Sequence, residues 1–152
     1  MTISYENIYN RFLQKIDDVE FLQLDRNTAY EKMKGWLTTA LSVPYTRRLF
    51  SSLVKNDEIL TFDFELKQSV DDDADVDFIE EALALGMLIA WLEPKVQTTT
   101  TITQGLFGRE QKMFAQSSHL GQTRELLEMA RSNQRRLIMD RGYINNIYLG
   151  SS

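Results

Sequence analysis

His119 is the only histidine in the chain, and there is no cysteine. A Ser–His–Asp hydrolase would have to use His119, but no nucleophile-elbow pattern surrounds any serine. His119 stands instead beside Ser117 and Ser118, where a helix is expected to begin. Without cysteine there is no thiolate zinc site, thiol nucleophile or disulfide framework. A metal site would have to be built mainly from carboxylates. The densest supply is Asp71, Asp72, Asp73, Asp75 and Asp77. A calcium-binding EF-hand loop needs glycine at its sixth position and glutamate at its twelfth. Counted from Asp71 these positions hold Val76 and Ala82; counted from Asp73 they hold Phe78 and Ala84. Both registers fail, so the run reads as a solvated loop whose last aspartates cap a helix and favour its positive end. Glu80 and Glu81 are neighbours and point in different directions on a helix, so they make no catalytic pair. No glycine loop of the phosphate- or dinucleotide-binding type is present. The expectation is a protein with no catalytic residue, no metal and no cofactor.

Basic residues offer a second kind of chemistry. Arg47 and Arg48 form a dipeptide, and Arg131, Arg135 and Arg136 recur along the last helical stretch with Arg124 and Arg141. They suit either a solvated face paired with nearby acids or an ionic contact to a partner or a phosphate. The net charge is −5, which argues against a broad nucleic-acid-binding face, since phosphate contacts need clustered cations. An acidic surface could instead border a path along which DNA moves without sticking.

The elements that must position these residues follow from periodicity. Phe78 to Leu92 is the most apolar run and is apolar round most of a helix, which predicts a central helix enclosed by others. At about fifteen residues it is short of the roughly twenty that span a bilayer. The N-terminal MTISYENIYNRF lacks the basic and apolar regions of a signal peptide. Tyr5, Ile8, Tyr9, Phe12, Leu13 and Ile16 predict a first helix over about 4–17, capped by Ser4. A second is expected from Asn27 or Thr28 to Leu41, with Gly35 inside it at a possible close crossing and Pro44 ending it. Leu49, Phe50 and Leu53 suggest a short third helix within 45–54. Over 59–67, Leu60, Phe62, Phe64 and Leu66 alternate with polar residues and predict a strand with no obvious partner nearby.

Pro94 is expected to end the central helix. Residues 96–108, with four consecutive threonines and Gly105 and Gly108 around Leu106 and Phe107, read as an exposed loop. Its apolar residues, Ile102, Leu106 and Phe107, would suit contact with a neighbour. A last helix is expected over about 117–141, with Gly142 past its end. Tyr143, Ile144, Ile147, Tyr148 and Leu149 then make an unusually apolar closing segment. The expected fold is mainly α: a small helical bundle around a central apolar helix, one isolated strand or hairpin, and an extended C-terminal arm. The division is a helical domain over 1–141 and a docking arm over 142–152.

The buried run ALGMLIAWLEPKV, the loop after it, the Arg-rich helix and the closing RGYINNIYLG together resemble head–tail connector proteins of tailed bacteriophages, of the head-completion adaptor type. The likeness covers most of the chain in architecture and segment character, without a diagnostic short motif; the isolated strand departs from the simplest all-helical picture. It implies a structural virion protein of the neck, made in the host cytoplasm, that forms a homo-oligomeric ring, usually twelve-fold, below the portal. Such a ring extends the DNA channel, passes DNA without binding it specifically, and carries the stopper or tail-completion protein. No membrane is involved. The resemblance further implies that the segment from Tyr143 to Leu149 reaches the portal or a neighbouring subunit. The alternative is a small helical regulator that binds a host or viral protein through the same tail. An enzyme with a carboxylate metal site is the third reading.

Overall fold

The computed structural model describes residues 1–16, 21, 23–105 and 110–144, with side chains described outside 98–105, 110–120 and 142–144. The fold is mainly helical, with a small three-stranded antiparallel sheet. In chain order the elements are β1 (Thr2–Ser4), α1 (Tyr5–Leu13), α2 (Arg26–Ser42), α3 (Pro44–Arg47), β2 (Phe50–Asn56), β3 (Thr61–Leu66), α4 (Asp72–Gly105) and α5 (Glu110–Ile144).

Helix α1 starts where Ser4 accepts a hydrogen bond from the Glu6 N–H, and it buries Tyr5, Ile8, Tyr9 and Phe12 at the expected spacing. Asp25 caps α2 in the same way, through the Thr28 N–H at 2.8 Å. Val43 is extended before Pro44, as proline requires of its predecessor, and α2 stops there. Pro44 then opens the four-residue α3, at a position where its missing N–H costs nothing.

The third helix expected over 45–54 is largely a strand. Beyond Arg47 the chain enters β2, which pairs with β3 and sets Leu53 opposite Phe64. A bulge between Phe50 and Ser52 breaks the alternation of side chains, which is why no period of two is visible there. Strand β3 is not isolated. It lies in the middle of the sheet, in the order β1-β3-β2, with Phe62, Phe64 and Leu66 turned into the core. The β2–β3 connection puts Leu60 at φ 54°, a left-handed position uncommon for a side-chain-bearing residue. Its carbonyl accepts the Tyr5 N–H at 2.9 Å, which anchors the turn to the start of α1.

Helix α4 is the centre of the molecule. Phe78, Ile79, Leu83, Ala84 and Met87 join the main core with α1, α2 and the sheet. Ile89 and Leu92 form a second cluster with Leu127 and Ala130 of α5. The helix does not end at Pro94, and the expected threonine loop is helical as far as Gly105. Pro94 forfeits one backbone bond. Compensation comes from its surroundings: Lys95 lies 4.8 Å over the Trp91 ring, Val96 packs on the second cluster, and Glu93 pairs with Arg131. Threonine in place of alanine costs only a few tenths of a kcal/mol per residue in a helix that is already propagating. Helix α5 is likewise longer than expected, beginning at Glu110 and continuing past Gly142 to Ile144.

Gly35 has open space where a Cβ would point, so it makes no close crossing. The crossing glycine is Gly86, where a Cβ would stand 2.7 Å from the Ala40 Cβ and 3.1 Å from Gln134 Nε2. Helices α2, α4 and α5 meet at that point.

Candidate interaction groove and charged sites

Above the Gly86 crossing, α2, α3, α4 and α5 leave a groove of about 510 Å³. Ala40, Val43, Ile89, Ala90, Ile138 and Met139 give it apolar walls. A polar clip centred on the buried Gln134 lies in its wall. Gln134 donates from Nε2 to the Ala82 carbonyl at 3.0 Å and accepts from the Tyr45 hydroxyl at 2.7 Å. Burial raises the pKa of the Tyr45 phenol, aided by the Glu93 charge, so it stays a donor. At the rim Arg131 donates to Glu93 at 3.0 Å and to Glu128 at 3.2 Å. Those bonds to carboxylates raise the pKa of its guanidinium. Two large hydrophobic side chains of the groove remain open to solvent, Tyr45 at 47% and Met139 at 65% exposure. Leu126 and Met129 are also exposed on α5, but at about 100° per residue they fall on a face away from the groove.

The expected ionic residues separate into distinct places. Arg131 and Arg135 line the groove, while Arg136 is exposed on α5 and Arg47 on α3. Arg48 faces a different pocket, of about 220 Å³, together with Leu49, Leu66, Lys67, Gln68, Phe78 and Arg141. Tyr143 and Ile144 belong to the last turn of α5 rather than to an extended arm. Ile102 lies within α4 rather than on a loop. Leu106, Phe107, Ile147, Tyr148 and Leu149 lie outside the described residues. His119 is within α5.

The acidic run divides in two. Asp71 caps α4 through the Ala74 N–H at 2.8 Å, as expected of a residue before a helix. Asp75, however, is fully buried rather than solvated. It accepts from Arg141, from the Ser69 hydroxyl at 2.5 Å and from the Val70 N–H at 3.0 Å. Arg141 also donates through Nε to the Gln68 carbonyl at 3.2 Å and lies 4.7 Å over the Phe78 ring. Burial lowers the pKa of this guanidinium, and the nearby Asp71 charge opposes that shift. The pair fastens the end of α5 to the beginning of α4. Neither residue stood apart from its charged neighbours in the sequence, because nothing local marks one aspartate in five as the buried one.

Glu80 and Glu81 face the same cation despite their different directions. Arg11 donates to Glu81 at 3.1 Å and to Asp77 at 2.6 Å, and it stands 4.0 Å from Glu80. Lys15 reaches Glu81 at 2.5 Å. Glu80 is buried, which raises its pKa more than Arg11 lowers it. This cluster ties α1 to α4. Among the described residues no group of three or more metal-ligating side chains comes together. No described helix is long and apolar enough to cross a membrane. Comparison with protein families, with curated proteins and with solved structures finds no match to this chain.

Proposed function

We propose that the chain is a structural assembly protein of a tailed-phage neck, of the head-completion adaptor type, acting as a ring subunit below the portal. The observation that carries this reading is the α4–α5 hairpin. Its helices have 34 and 35 residues, each roughly 50 Å long at 1.5 Å per residue. One end is anchored in the core through Asp75–Arg141 and Gln134. One flank carries the apolar groove with the exposed Met139, and Leu126 and Met129 are exposed on another face of α5. A rigid helical pair with an apolar flank and an ionic rim suits side-by-side packing of identical subunits, where apolar contact supplies affinity and charges set register. The paired state of Arg11, Lys15, Arg131 and Arg141 supports a scaffolding role for these charges. In the ring, the segment from Tyr143 to Leu149 engages the portal or a neighbour, Ile102, Leu106 and Phe107 meet the next neck component, and DNA passes without specific contacts.

Mass spectrometry of purified particles tests the reading. The chain should be a stoichiometric virion component, and a variant lacking Tyr143–Ser152 should fold but fail to join filled heads. Absence from particles, with recovery of a soluble protein partner in a pull-down, would overturn it in favour of a tail-mediated regulator.

A further inference from the structure

We propose that the pocket enclosed by Arg48, Lys67 and Arg141 is a binding site for a phosphate group. Three separate parts of the chain bring these cations together. Arg48 follows α3, Lys67 follows β3, and Arg141 comes from the last turns of α5. The Lys67 N–H donates to the Leu49 carbonyl at 3.0 Å, which fixes the β3 end against the segment that carries Arg48. Arg141 is held by Asp75, by the Gln68 carbonyl and by the face of Phe78, and neither of its hydrogen bonds uses Nη1. Phe78, Leu49 and Leu66 form an apolar floor, which lowers the local dielectric and strengthens any ionic contact made there.

The charge balance points to the ligand. No carboxylate lines the pocket among the described residues. Asp75 behind it pairs with Arg141, and the Asp71 charge also acts on that guanidinium, so the exposed Arg48 and Lys67 are the two cations with no carboxylate beside them in the pocket, on a chain whose net charge is −5. Arg48 and Lys67 have no ion pair among the described residues, unlike Arg11, Lys15 and Arg131. A single carboxylate would be satisfied by one guanidinium. A phosphate group, with close to two negative charges near neutrality and several acceptor oxygens, matches both the charge and the number of donors. Asp75 and the negative end of α5 stand behind Arg141, so Arg141 cannot hold an anion alone and the exposed pair is needed. The pocket is independent of the proposed ring role and of the apolar groove.

The test titrates inorganic phosphate into the full chain at constant ionic strength, followed by amide chemical shifts. Saturable shifts at 48–49, 66–68 and 141 are expected. The double variant Arg48→Gln/Lys67→Gln, which alters only exposed side chains, should weaken binding at least about tenfold, with circular dichroism unchanged. Arg136→Gln, outside the pocket, should leave affinity as it is. A blunt DNA duplex with 5′-hydroxyl ends, whose phosphodiesters carry one charge each, should not compete with phosphate, which assigns the site to free phosphate or a phosphate monoester; competition would overturn the assignment to a doubly charged group. Shifts that chloride reproduces at equal ionic strength, or a double variant that binds as the parent does, would overturn the proposal.

Discussion

The two sides of α4 are held by different physics. Towards α1, α2 and the sheet it meets an aromatic core in which Phe12 touches the rings of Phe21, Trp36 and Trp91, and Phe62 those of Tyr5 and Phe64. Towards α5 the buried apolar contact is the small cluster of Ile89, Leu92, Leu127 and Ala130. Along that interface lie polar fasteners: Asp75–Arg141, Gln134 to Ala82 and Tyr45, and Glu93–Arg131. The first side draws its strength from buried area, which is non-directional. The second draws its geometry from directional bonds, which contribute less net stability but set the register of two long helices. The proposed packing of the hairpin against neighbours would gain from the second arrangement, because its orientation is specified without covering its outer flank.

The largest loss of stability is expected on the aromatic side. Phe12→Ala should cost about 4 kcal/mol in denaturant unfolding, since it empties a fully buried site among three rings. Asp75→Ala should cost about 3 kcal/mol by stranding a buried guanidinium, with hydrogen exchange accelerated first near the end of α5. Asp75→Ala/Arg141→Met should recover most of that loss, as apolar replacement of a buried pair commonly does. If the single Asp75 variant leaves exchange in α5 unchanged, the polar fasteners do not hold the hairpin. Gly86→Ala should cost about 1–3 kcal/mol by forcing α2 away from α4, with partial rescue by Ala40→Gly.

The smallest effect concerns Glu80. Its folded-state pKa lies above the ordinary 4.5 because burial penalises the charged form. The folded protein therefore holds this proton more tightly than the unfolded chain does. The stability it contributes is present below pH 4.5 and is lost as pH rises through the folded value. Glu80→Gln should flatten the pH dependence of unfolding above 4.5 and raise stability at pH 7. An unchanged pH profile would show that Arg11 neutralises Glu80 fully.

Helical periodicity made α1, α2 and the buried run of α4 legible, because each repeats apolar residues over several turns. The Ser4 cap and the stop at Pro44 were legible because they depend on adjacent residues alone. Strand β2 was not, since its bulge erased the alternation and its partner contributes the pairing energy. The continuation of α4 through Pro94 was not either. Local rules forecast a stop there, and contacts with α5 outweigh them.

For the candidate sites, composition alone sets the supply of chemistry: one histidine, no cysteine, an acidic run and scattered arginines. Which of these meet depends on how the helices and the sheet pack. Arg48, Lys67 and Arg141 lie far apart in the chain and share one pocket. Asp75 and Arg141 share one buried bond. Gly86 is where α2, α4 and α5 come together. Local propensity acts over a few residues, so it can place a cap or a stripe. The pairing of distant charges depends on the packing of whole helices.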